Sequence, residues 1–313
     1  MHIIFIDGAQ GTTGLRLRER LTGRTELCVM ELPKDLRKDA NARRAAMQEA
    51  EITFLCLPDD AARESVRLAE GTGTRMIDAS TAHRTAPDWV YGFPELLPSQ
   101  REKIAGADKV AVPGCHAGGF AALIIPLRQA GVLAADALLS CFSITGYSGG
   151  GKGMIAEYES PGRTAEYGAP RQYALGQSHK HLREMCCVCG LNSAPVFAPI
   201  VGDFPCGMAV NVPLHLQSLE RSVDIDGLRA LYKEHYAGTR AIRVTTADKA
   251  APDGFLSANP FDGRDDMEII VCGNNERVLV TARFDNLGKG ASGAAVQCMN
   301  LMLDLPEHEQ LAI

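Results

Sequence analysis

The sequence predicts an α/β protein in which a doubly wound parallel sheet precedes an α+β region with a mixed sheet. Three observations support this prediction. Short apolar runs alternate with helical stretches over the first 115 residues, a glycine-rich turn joins the first strand to the first helix, and strand-like segments dominate after residue 115. Alternating strands and helices are typical of a parallel sheet that helices cover on both faces.

The first part of the chain contains five apolar runs of the kind expected for strands that are buried on both faces. These strands are predicted at His2–Ile6, Glu26–Met30, Ile52–Leu57, Arg75–Ala79 and Lys109–Val112. The helices between them are predicted at Thr13–Leu21, at Asp39–Ala50 and from Asp59 to about Ala69. Either Asp59 or Asp60 is suited to cap the third helix, because a short carboxylate accepts the free N–H groups of a first turn.

The second part of the chain is richer in strands. Ala117–Ile125 is apolar and helical, and Pro126 predicts a break or kink there. The following elements are predicted as strands at Ala137–Ile144, Val210–Leu216 and Arg277–Phe284, and as a last helix at Gly293–Leu303. A length of 313 residues fits two domains.

Composition excludes several classes of function. Hydrophobic residues make up 46% and charged residues 22%, which is ordinary for a globular protein. The net charge of −6 and the absence of a basic patch argue against nucleic acid as a partner. No apolar run approaches the roughly 18–20 residues of a membrane span. The apolar run at the start of the chain is too short for the apolar region of a signal peptide, and none is expected.

The ten cysteines are scattered along the chain, which is typical of a reduced cytoplasmic protein rather than of a disulfide framework. The segment Cys186-Cys187-Val188-Cys189 contains a C-x-x-C pattern. A metal or thioredoxin-like site would need a second ligand pair or a redox fold, so no metal site is predicted.

The turn Gly8-Ala9-Gln10-Gly11-Thr12-Thr13-Gly14 lies between the first strand and the first helix. Glycines in this position permit a tight turn and a close approach of the backbone to a pyrophosphate, while the helix start supplies free N–H groups. Its place directly after a buried strand makes dinucleotide binding the preferred interpretation. The predicted cofactor contacts in this turn are Gly8, Gln10, Gly11, Thr12, Thr13 and Gly14.

The residues after the second strand bear on the type of dinucleotide. Glu31 is placed to bind an adenosine ribose, as an acidic residue does in NAD enzymes. Cations follow it at once, and a 2′-phosphate requires such cations. These cations are Lys34, Arg37, Lys38, Arg43 and Arg44. NADP is therefore the predicted cofactor, with Arg37 and Lys38 as contacts.

Cys115 is the predicted nucleophile. It follows a strand and a Pro113-Gly114 turn and comes just before a helix, at the strand end where parallel sheets bind ligands. A helix start favours the thiolate over the thiol, and a free cysteine has a pKa of about 8.5. Neighbouring glycines leave room for a substrate. We therefore expect Cys115 to share one edge of the sheet with the Gly8–Gly14 turn.

A base is expected from the segment His179-Lys180-His181-Leu182-Arg183-Glu184. If this segment is helical, His181 and Glu184 are neighbours at i and i+3, and the carboxylate can fix the imidazole tautomer. Lys180 and Arg183 add positive charge for an anionic substrate. His116 is a competing base, ranked lower because adjacent side chains usually point apart.

A nicotinamide site and a cysteine nucleophile together indicate one class of reaction. The thiolate forms a thioester with an activated acyl group, and hydride transfer then gives an aldehyde. Backbone N–H groups after Cys115 are suited to stabilise the oxyanion. The residues alone therefore predict an acyl-phosphate reductase or an aldehyde dehydrogenase without naming its substrate.

Several motifs, taken in order, resemble those of the N-acetyl-γ-glutamyl-phosphate reductase family in its shorter form. They are Gly8–Gly14, Cys56–Asp60, Ile77–Arg84, Tyr91–Leu96, Val112–Cys115, Gly146–Lys152, His179–His181 and Asp285–Ala291. The resemblance implies NADPH-dependent reduction of N-acetyl-γ-glutamyl phosphate to the 5-semialdehyde in arginine biosynthesis. It implies an NADP-binding Rossmann domain at 1–115 and about 290–313, and a catalytic and oligomerisation domain at 116–289, in a homodimer or homotetramer.

The resemblance also implies roles for individual residues. Cys115 is the nucleophile and His181 the base, with the choice between His181 and His179 left open. Pro58, Ser80 and Asn286 belong to the cofactor site. The expected substrate contacts are Arg84, Ser148, Gly149, Lys152 and His179, of which Ser148–Lys152 is expected to form a glycine-rich loop for the leaving phosphate.

Two other functions stay open on the sequence. One is a sister enzyme that acts on another acyl phosphate, such as an aspartate semialdehyde dehydrogenase or an N-acetyl-aminoadipyl phosphate reductase. The other is a non-catalytic dinucleotide sensor, which would need neither a reactive cysteine nor a base. Thiol labelling separates the sensor from the enzymes, because a sensor has no reason to activate Cys115.

Overall fold

A computed structural model describes all 313 residues, which form two compact units. The first unit contains residues 1–113 and 291–311, and the second contains residues 114–290 and 312–313. None of the helices is both long and apolar enough to cross a membrane.

The first unit is built on a six-stranded sheet in which every pair of neighbouring strands is parallel. The strand order is β2-β1-β3-β4-β6-β5. Its strands are β1 (His2–Asp7), β2 (Leu27–Met30), β3 (Ile52–Leu55), β4 (Arg75–Asp78), β5 (Val90–Tyr91) and β6 (Lys109–Ala111). Its helices are α1 (Thr12–Leu21), α2 (Ala40–Glu49), α3 (Asp59–Leu68), α4 (Gln100–Ala105) and α10 (Gly293–Met302).

Helices cover both faces of this sheet. Ile4 and Ile6 of β1 pack with side chains of α1, α4 and α10, whereas Phe5 packs with side chains of α2 and α3. Successive side chains of a strand point to opposite faces, so a continuous apolar run is what a strand with two covered faces requires. The doubly wound parallel sheet is thus confirmed.

The second unit is built on a seven-stranded mixed sheet, as expected, with the order β11-β12-β13-β10-β7-β9-β8. Its strands are β7 (Ser140–Gly146), β8 (Arg171–Gln172), β9 (Val196–Gly202), β10 (Met208–His215), β11 (Ile242–Thr246), β12 (Met267–Gly273) and β13 (Arg277–Phe284). Its helices are α5 (Cys115–Gln129), α6 (Gly151–Tyr158), α7 (His181–Cys189), α8 (Ile225–His235) and α9 (Ala247–Ala250).

Helix α5 lies at the centre of the second unit and passes through Pro126, so the helix does not break there, and the alternative of a kink stays a prediction. Proline has no N–H to donate to the carbonyl four residues earlier, which is that of Ala122. The Tyr236 hydroxyl donates to this carbonyl over 2.7 Å, and the Tyr232 hydroxyl donates to the next one, Leu123, over 2.6 Å. Tyr236, the residue after α8, therefore satisfies the carbonyl that the proline leaves open.

Two other local expectations are also wrong. Neither Asp59 nor Asp60 caps α3, because Pro58 is the N-cap residue and no side chain accepts a capping hydrogen bond. The Asp59 carboxylate instead accepts hydrogen bonds from the amide and hydroxyl of Thr81. Tyr147–Gly150 forms a 3-10 turn that leads directly into α6, where a loop was expected. The glycines there are compatible with helical turns, and only Gly151 has a positive φ, of 76°.

Gly119 gives a test of how α5 packs on the sheet. A Cβ there would lie 2.6 Å from Val210 Cγ2 and 2.8 Å from a Phe284 ring carbon, so Gly119→Ala must push the helix away from β10 and β13. We expect the free energy of unfolding to fall by about 2 kcal/mol in denaturant titrations. Gly153→Ala in α6 is the matched control, because a Cβ there meets no atom within 4 Å. This variant should gain about 0.5–1 kcal/mol, and equal effects of both substitutions would contradict the packing.

Candidate active site

The glycine turn after β1 has the close backbone approach that a dinucleotide loop needs. Gly8 has a φ of +90°, and a Cβ on it would lie 2.4 Å from the carbonyl oxygen of Cys56, at the end of β3. A Cβ on Gly14 would lie 2.6 Å from the Gly8 carbonyl oxygen. The turn therefore packs tightly against both β3 and the start of α1. It lies between β1 and β3, where the strand order reverses, which is where such sheets bind nucleotides.

A pocket of about 200 Å³ opens beside this turn. Gly8, Gln10, Arg37 and Lys38 line it together with Glu31. Four of the predicted cofactor residues thus meet in one pocket, while Thr12 and Thr13 lie in the first turn of α1 behind the N-cap residue Gly11.

Arg43 and Arg44 do not line this pocket. These two cations, expected near a 2′-phosphate, bind other groups of the protein instead. The Arg43 guanidinium is buried and donates to Asp7 Oδ2 over 2.9 and 3.1 Å and to the Ser65 hydroxyl over 2.6 Å. Arg44 donates to the backbone carbonyl of Leu68. A buried carboxylate needs a cation or hydrogen-bond donors beside it, and Arg43 supplies both to Asp7 at the end of β1.

Ser80 and Pro58 occupy the ends of two neighbouring strands. Ser80 is fixed by Asp78, which accepts hydrogen bonds from its amide and its hydroxyl at 2.8 Å each. His83 Nδ1 lies 2.6 Å from the same carboxylate. Pro58 caps α3 directly after β3. Both residues follow the carboxyl ends of parallel strands in the first unit, and their contact with a cofactor stays a prediction.

Cys115 is the first residue of α5, a helix of 15 residues. Its thiol is partly buried, and the helix start supplies free N–H groups and partial positive charge. The Gly114 amide, immediately before it, donates to Glu184 Oε1 over 2.8 Å. On another side Gly290 makes room for it, because a Cβ there would lie 2.9 Å from Cys115 Cβ. The turn that carries the thiol is therefore held by α7 and by residue 290.

The other cysteines lack this setting, and no disulfide is present. The pKa of Cys56 is raised to about 12, chiefly by burial and to a smaller extent by the charges of Asp78 and Asp7. Burial also raises the pKa of Cys141, Cys189, Cys186 and Cys272. Cys186 and Cys189 lie in the C-x-x-C segment, which forms part of α7, so their thiols are disfavoured as nucleophiles.

Three histidines pack together in the second unit. The ring centroids of His116, His179 and His181 lie 4.7–5.7 Å apart. The His181 amide donates to His179 Nδ1 over 3.1 Å, and the pKa of His179 is lowered by burial and then by the Lys180 charge. Glu184 lies on the helix that begins at His181, at the predicted spacing, and its carboxylate accepts a hydrogen bond from the Gly114 amide. Its predicted role in fixing the imidazole stays a prediction.

Tyr173 joins this cluster, although no motif in the sequence singles it out. Its hydroxyl lies 2.8 Å from His116 Nε2, while His116 Nδ1 lies 2.8 Å from the Ser143 hydroxyl. The pKa of Tyr173 is raised by burial and then by the charge of Cys115. The pKa of His116 is lowered to about 3, chiefly by burial and to a smaller extent by the charge of His179, so His116 is neutral at physiological pH. His116 is thus held between two hydroxyls, which disfavours it as the base.

The proposed phosphate residues differ in their surroundings. Ser148 is buried, and its hydroxyl accepts a 3.0 Å hydrogen bond from the Asn286 amide group, whose oxygen accepts from the Gly207 amide over 2.8 Å. Gly149 lies beside Asn286, because a Cβ there would be 3.2 Å from the amide nitrogen. Lys152 is exposed in the first turn of α6. The Asn286 side chain thus binds the Ser148 hydroxyl and the Gly207 amide. Its contact with a cofactor stays a prediction.

Arg84 belongs to the first unit and is half-buried. Its guanidinium donates to the carbonyl of Val112 over 2.8 Å and to that of Ala79 over 3.1 Å. These are the residues that follow β6 and β4. These two carbonyls hold the guanidinium beside the ends of both strands.

Comparison with known proteins gives the family. The family model described as the NAD binding domain of semialdehyde dehydrogenases matches residues 28–106, and the dimerisation domain of the same enzymes matches residues 115–286. N-acetyl-γ-glutamyl-phosphate reductase of Brucella canis is 47% identical over 305 residues, which cover 96% of this chain and 98% of that protein. N-acetyl-γ-glutamyl-phosphate reductase 2 of Pseudomonas putida is 44% identical over 303 residues, 96% of each.

The chain belongs to the N-acetyl-γ-glutamyl-phosphate reductase family. Solved structures agree on the fold of this family member. Aspartate semialdehyde dehydrogenase II from Vibrio cholerae superimposes with a TM-score of 0.73 at 17% identity and covers 97% of this chain and 98% of its own. The enzyme from Francisella tularensis also gives 0.73, at 13% identity, with 97% and 100% covered. Both likenesses concern the fold alone.

Gly290 tests how the family's cysteine turn is held in this chain. Because a Cβ on residue 290 would lie 2.9 Å from Cys115 Cβ and 3.1 Å from the Asp285 carbonyl oxygen, Gly290→Ala must displace the thiol. We expect the alkylation rate of Cys115 at pH 7 to change at least severalfold, measured by mass spectrometry of its peptide. Gly168→Ala, where a Cβ meets no atom within 4 Å, is the matched control. Equal rates in both variants would show that Gly290 does not position Cys115.

Proposed function

We propose that this chain reduces N-acetyl-γ-glutamyl phosphate to N-acetyl-L-glutamate 5-semialdehyde with NADPH and releases phosphate. The observation that carries this proposal is the place of Cys115 at the start of a long helix, in a chain 44–47% identical to reductases named for this substrate. The thiol at such a helix start is suited to attack an activated acyl group. A non-catalytic sensor would have no use for this arrangement.

The glycine turn and the pocket beside it fit a dinucleotide. Gly8 leaves no room for a side chain, and the start of α1 presents free N–H groups to a pyrophosphate. Arg37 and Lys38 are the pocket cations suited to the 2′-phosphate of NADP. When bound, the reduced nicotinamide supplies the hydride for the reduction.

Cys115 performs the covalent step in this proposal. Its thiolate attacks the acyl carbon, a carbon–sulfur bond forms, and the carbon–oxygen bond to phosphate breaks, which leaves a thioester and inorganic phosphate. The free N–H groups at the start of α5 stabilise the oxyanion that forms during the attack. After reduction the carbon–sulfur bond breaks, and the aldehyde leaves with the thiolate restored.

His181 is the proposed base, and Glu184 assists it from the same helix. His181 is buried in the cluster with His116, the residue that follows Cys115 in the chain. Its role is to take the thiol proton before attack and to protonate the oxyanion oxygen during reduction, so that the aldehyde forms when this proton returns to the base. His179 is assigned to the substrate because it is only half-buried.

The proposed substrate contacts carry opposite charge to an acyl phosphate or offer hydrogen bonds to it. Lys152 and the backbone around Ser148 and Gly149 are assigned to the leaving phosphate. Arg84 is assigned to the substrate carboxylate, which a guanidinium binds with two parallel hydrogen bonds. Loss of either charge should raise the KM for the substrate, and an unchanged KM in Lys152→Ala would remove Lys152 from this set.

We propose that two or four copies of this chain associate through the open face of the second sheet. One face of β7 and β9 packs on the helices, while Phe142, Ile144, Val196, Ala198 and Ile200 point to the other face and are only partly covered. A second copy is the proposed occupant because this part of the chain matches a dimerisation domain. Sedimentation of the chain as a monomer at micromolar concentration would contradict this assignment.

A cytoplasmic location is proposed as well. The ten cysteines include no disulfide, which suits a reducing compartment. Recovery of the protein from membranes or from an oxidising compartment after cell fractionation would contradict this location.

The reverse reaction tests the proposed function directly. Incubation with N-acetyl-glutamate semialdehyde, phosphate and NADP should produce NADPH, followed by its absorbance, and Cys115→Ala should lower turnover by at least about a thousandfold. Cys187→Ala is the matched control, since that thiol is exposed on α7 and should leave turnover unchanged. If aspartate semialdehyde were the only aldehyde turned over, the chain would be an aspartate semialdehyde dehydrogenase. Equal turnover in the unaltered chain and in Cys115→Ala would exclude covalent catalysis at Cys115.

Lys38 tests the assignment of NADP. Because its ammonium lines the pocket, Lys38→Ala should lower kcat/KM for NADPH by roughly tenfold while leaving that for NADH nearly unchanged. Lys34→Ala is the control, since this exposed lysine lies four residues earlier and outside the pocket lining. A parallel fall with both cofactors in Lys38→Ala would mean that the lysine does not recognise a 2′-phosphate.

The two histidines of the His179–His181 segment are distinguished by turnover. We expect His181→Ala to lower kcat more than His179→Ala does, because His181 is the proposed base and His179 binds substrate, so that its loss acts mainly on KM. Steady-state kinetics in the direction of acyl-phosphate reduction measure both. The opposite order of kcat values would give the role of base to His179.

A further inference from the structure

The pocket beside the Gly8–Gly14 turn contains side chains of opposite charge. Glu31, the residue after β2, lines it together with Arg37 and Lys38. A carboxylate at this place accepts hydrogen bonds from the adenosine ribose hydroxyls of NADH, whereas cations bind the 2′-phosphate of NADPH. Because the carboxylate repels a phosphate, the pocket contains groups that favour different cofactors.

Glu31 forms an ion pair with Arg18, which belongs to the last turn of α1. Arg18 Nη1 lies 3.6 Å from Glu31 Oε1, and Arg18 is not among the residues that line the pocket. The Arg18 side chain is 45% exposed and that of Glu31 is 27% exposed, so water weakens the pair without abolishing it. The guanidinium therefore offsets part of the carboxylate charge from outside the pocket.

The carboxylate and one of the pocket cations are held by the same stretch of backbone. Arg37 Nε donates to the carbonyl of Leu32, the residue after Glu31, over 3.1 Å. A 2′-phosphate bound by Arg37 would therefore lie in the same pocket as the Glu31 carboxylate, and two anions at short range repel each other. The strength of this repulsion depends on whether Arg18 is paired with Glu31.

We propose that Arg18 is a positioning residue for cofactor selectivity, which pairs with Glu31 and so lets the pocket accept the 2′-phosphate of NADPH. The proposal rests on the proposed function only in taking this pocket as the adenosine end of the dinucleotide site. With Arg18 present, the Glu31 carboxylate is held towards α1 and its charge is offset. Without Arg18, the carboxylate repels the phosphate and accepts hydrogen bonds from the ribose hydroxyls of NADH.

The experiment measures the Kd of NADPH and of NADH for the full chain, without acyl phosphate, by the fluorescence of the reduced nicotinamide. Arg18→Gln should raise the Kd of NADPH about threefold, as expected for a partly exposed ion pair, while the Kd of NADH should not rise. Arg18→Lys keeps the charge and should retain most of the affinity for NADPH. Arg16→Gln is the matched control, because it removes the same charge from α1 but from a pair with Glu19, at 3.5 Å. It should leave both Kd values nearly unchanged.

A second substitution separates an action through Glu31 from a direct contact between Arg18 and the phosphate. Glu31→Gln should raise the Kd of NADH roughly threefold, because an amide is a weaker acceptor for the ribose hydroxyls, and should not raise the Kd of NADPH. In the Glu31→Gln background, Arg18→Gln should raise the Kd of NADPH no more than Arg16→Gln does, because no carboxylate is left to offset. Thermal unfolding checks that every variant folds.

Three results would overturn the proposal: an unchanged Kd of NADPH in Arg18→Gln, an equal loss of NADPH affinity from Arg18→Gln with and without Glu31, or no binding of either nucleotide. The second result would mean that Arg18 binds the phosphate itself. The readout needs no reductase activity. The expected Kd values in a chain that does not reduce the acyl phosphate would therefore uphold the selectivity and refute the function, while reductase activity with no effect of Arg18 would do the reverse.

Discussion

The hydrogen bond from the Gly114 amide to the Glu184 carboxylate is the contact on which the candidate site depends. Gly114 is the N-cap residue of α5 and has no side chain with which to cap it. Glu184, buried on α7, supplies the acceptor from 70 residues away. A carboxylate at a helix start is stabilised by the free N–H groups there, and in return it fixes the turn before Cys115. Loss of this acceptor would leave the nucleophile on an uncapped helix end.

Much of the fold follows from local pattern. The apolar runs of the first unit predict its buried strands, and the glycines of the Gly8–Gly14 turn predict a close backbone approach that is found at Gly8 and Gly14. Cys115 is also predictable, because its position between a strand and a helix is set by its sequence neighbours. In each case a few consecutive residues carry the information.

What the sequence could not predict depends on contacts between distant segments. Arg43 resembles a phosphate-binding cation until Asp7, 36 residues away, is seen to bind it. Pro126 should interrupt a helix, but the hydroxyl of Tyr236, more than 100 residues away, satisfies the carbonyl that it leaves open. Tyr173 has no local signal at all, since only the fold brings it to His116. In each case a buried polar group takes its hydrogen-bond partner from a distant part of the chain.

In the proposed reaction Cys115 carries the acyl group as a thioester. The most direct measurement mixes the enzyme with N-acetyl-glutamate semialdehyde and NADP in the absence of phosphate. We expect a burst of about one NADPH per chain and an N-acetyl-glutamyl adduct on the peptide containing Cys115, because no phosphate is present to release the thioester. A burst of the same size in Cys115→Ala, or an adduct on another residue, would contradict it.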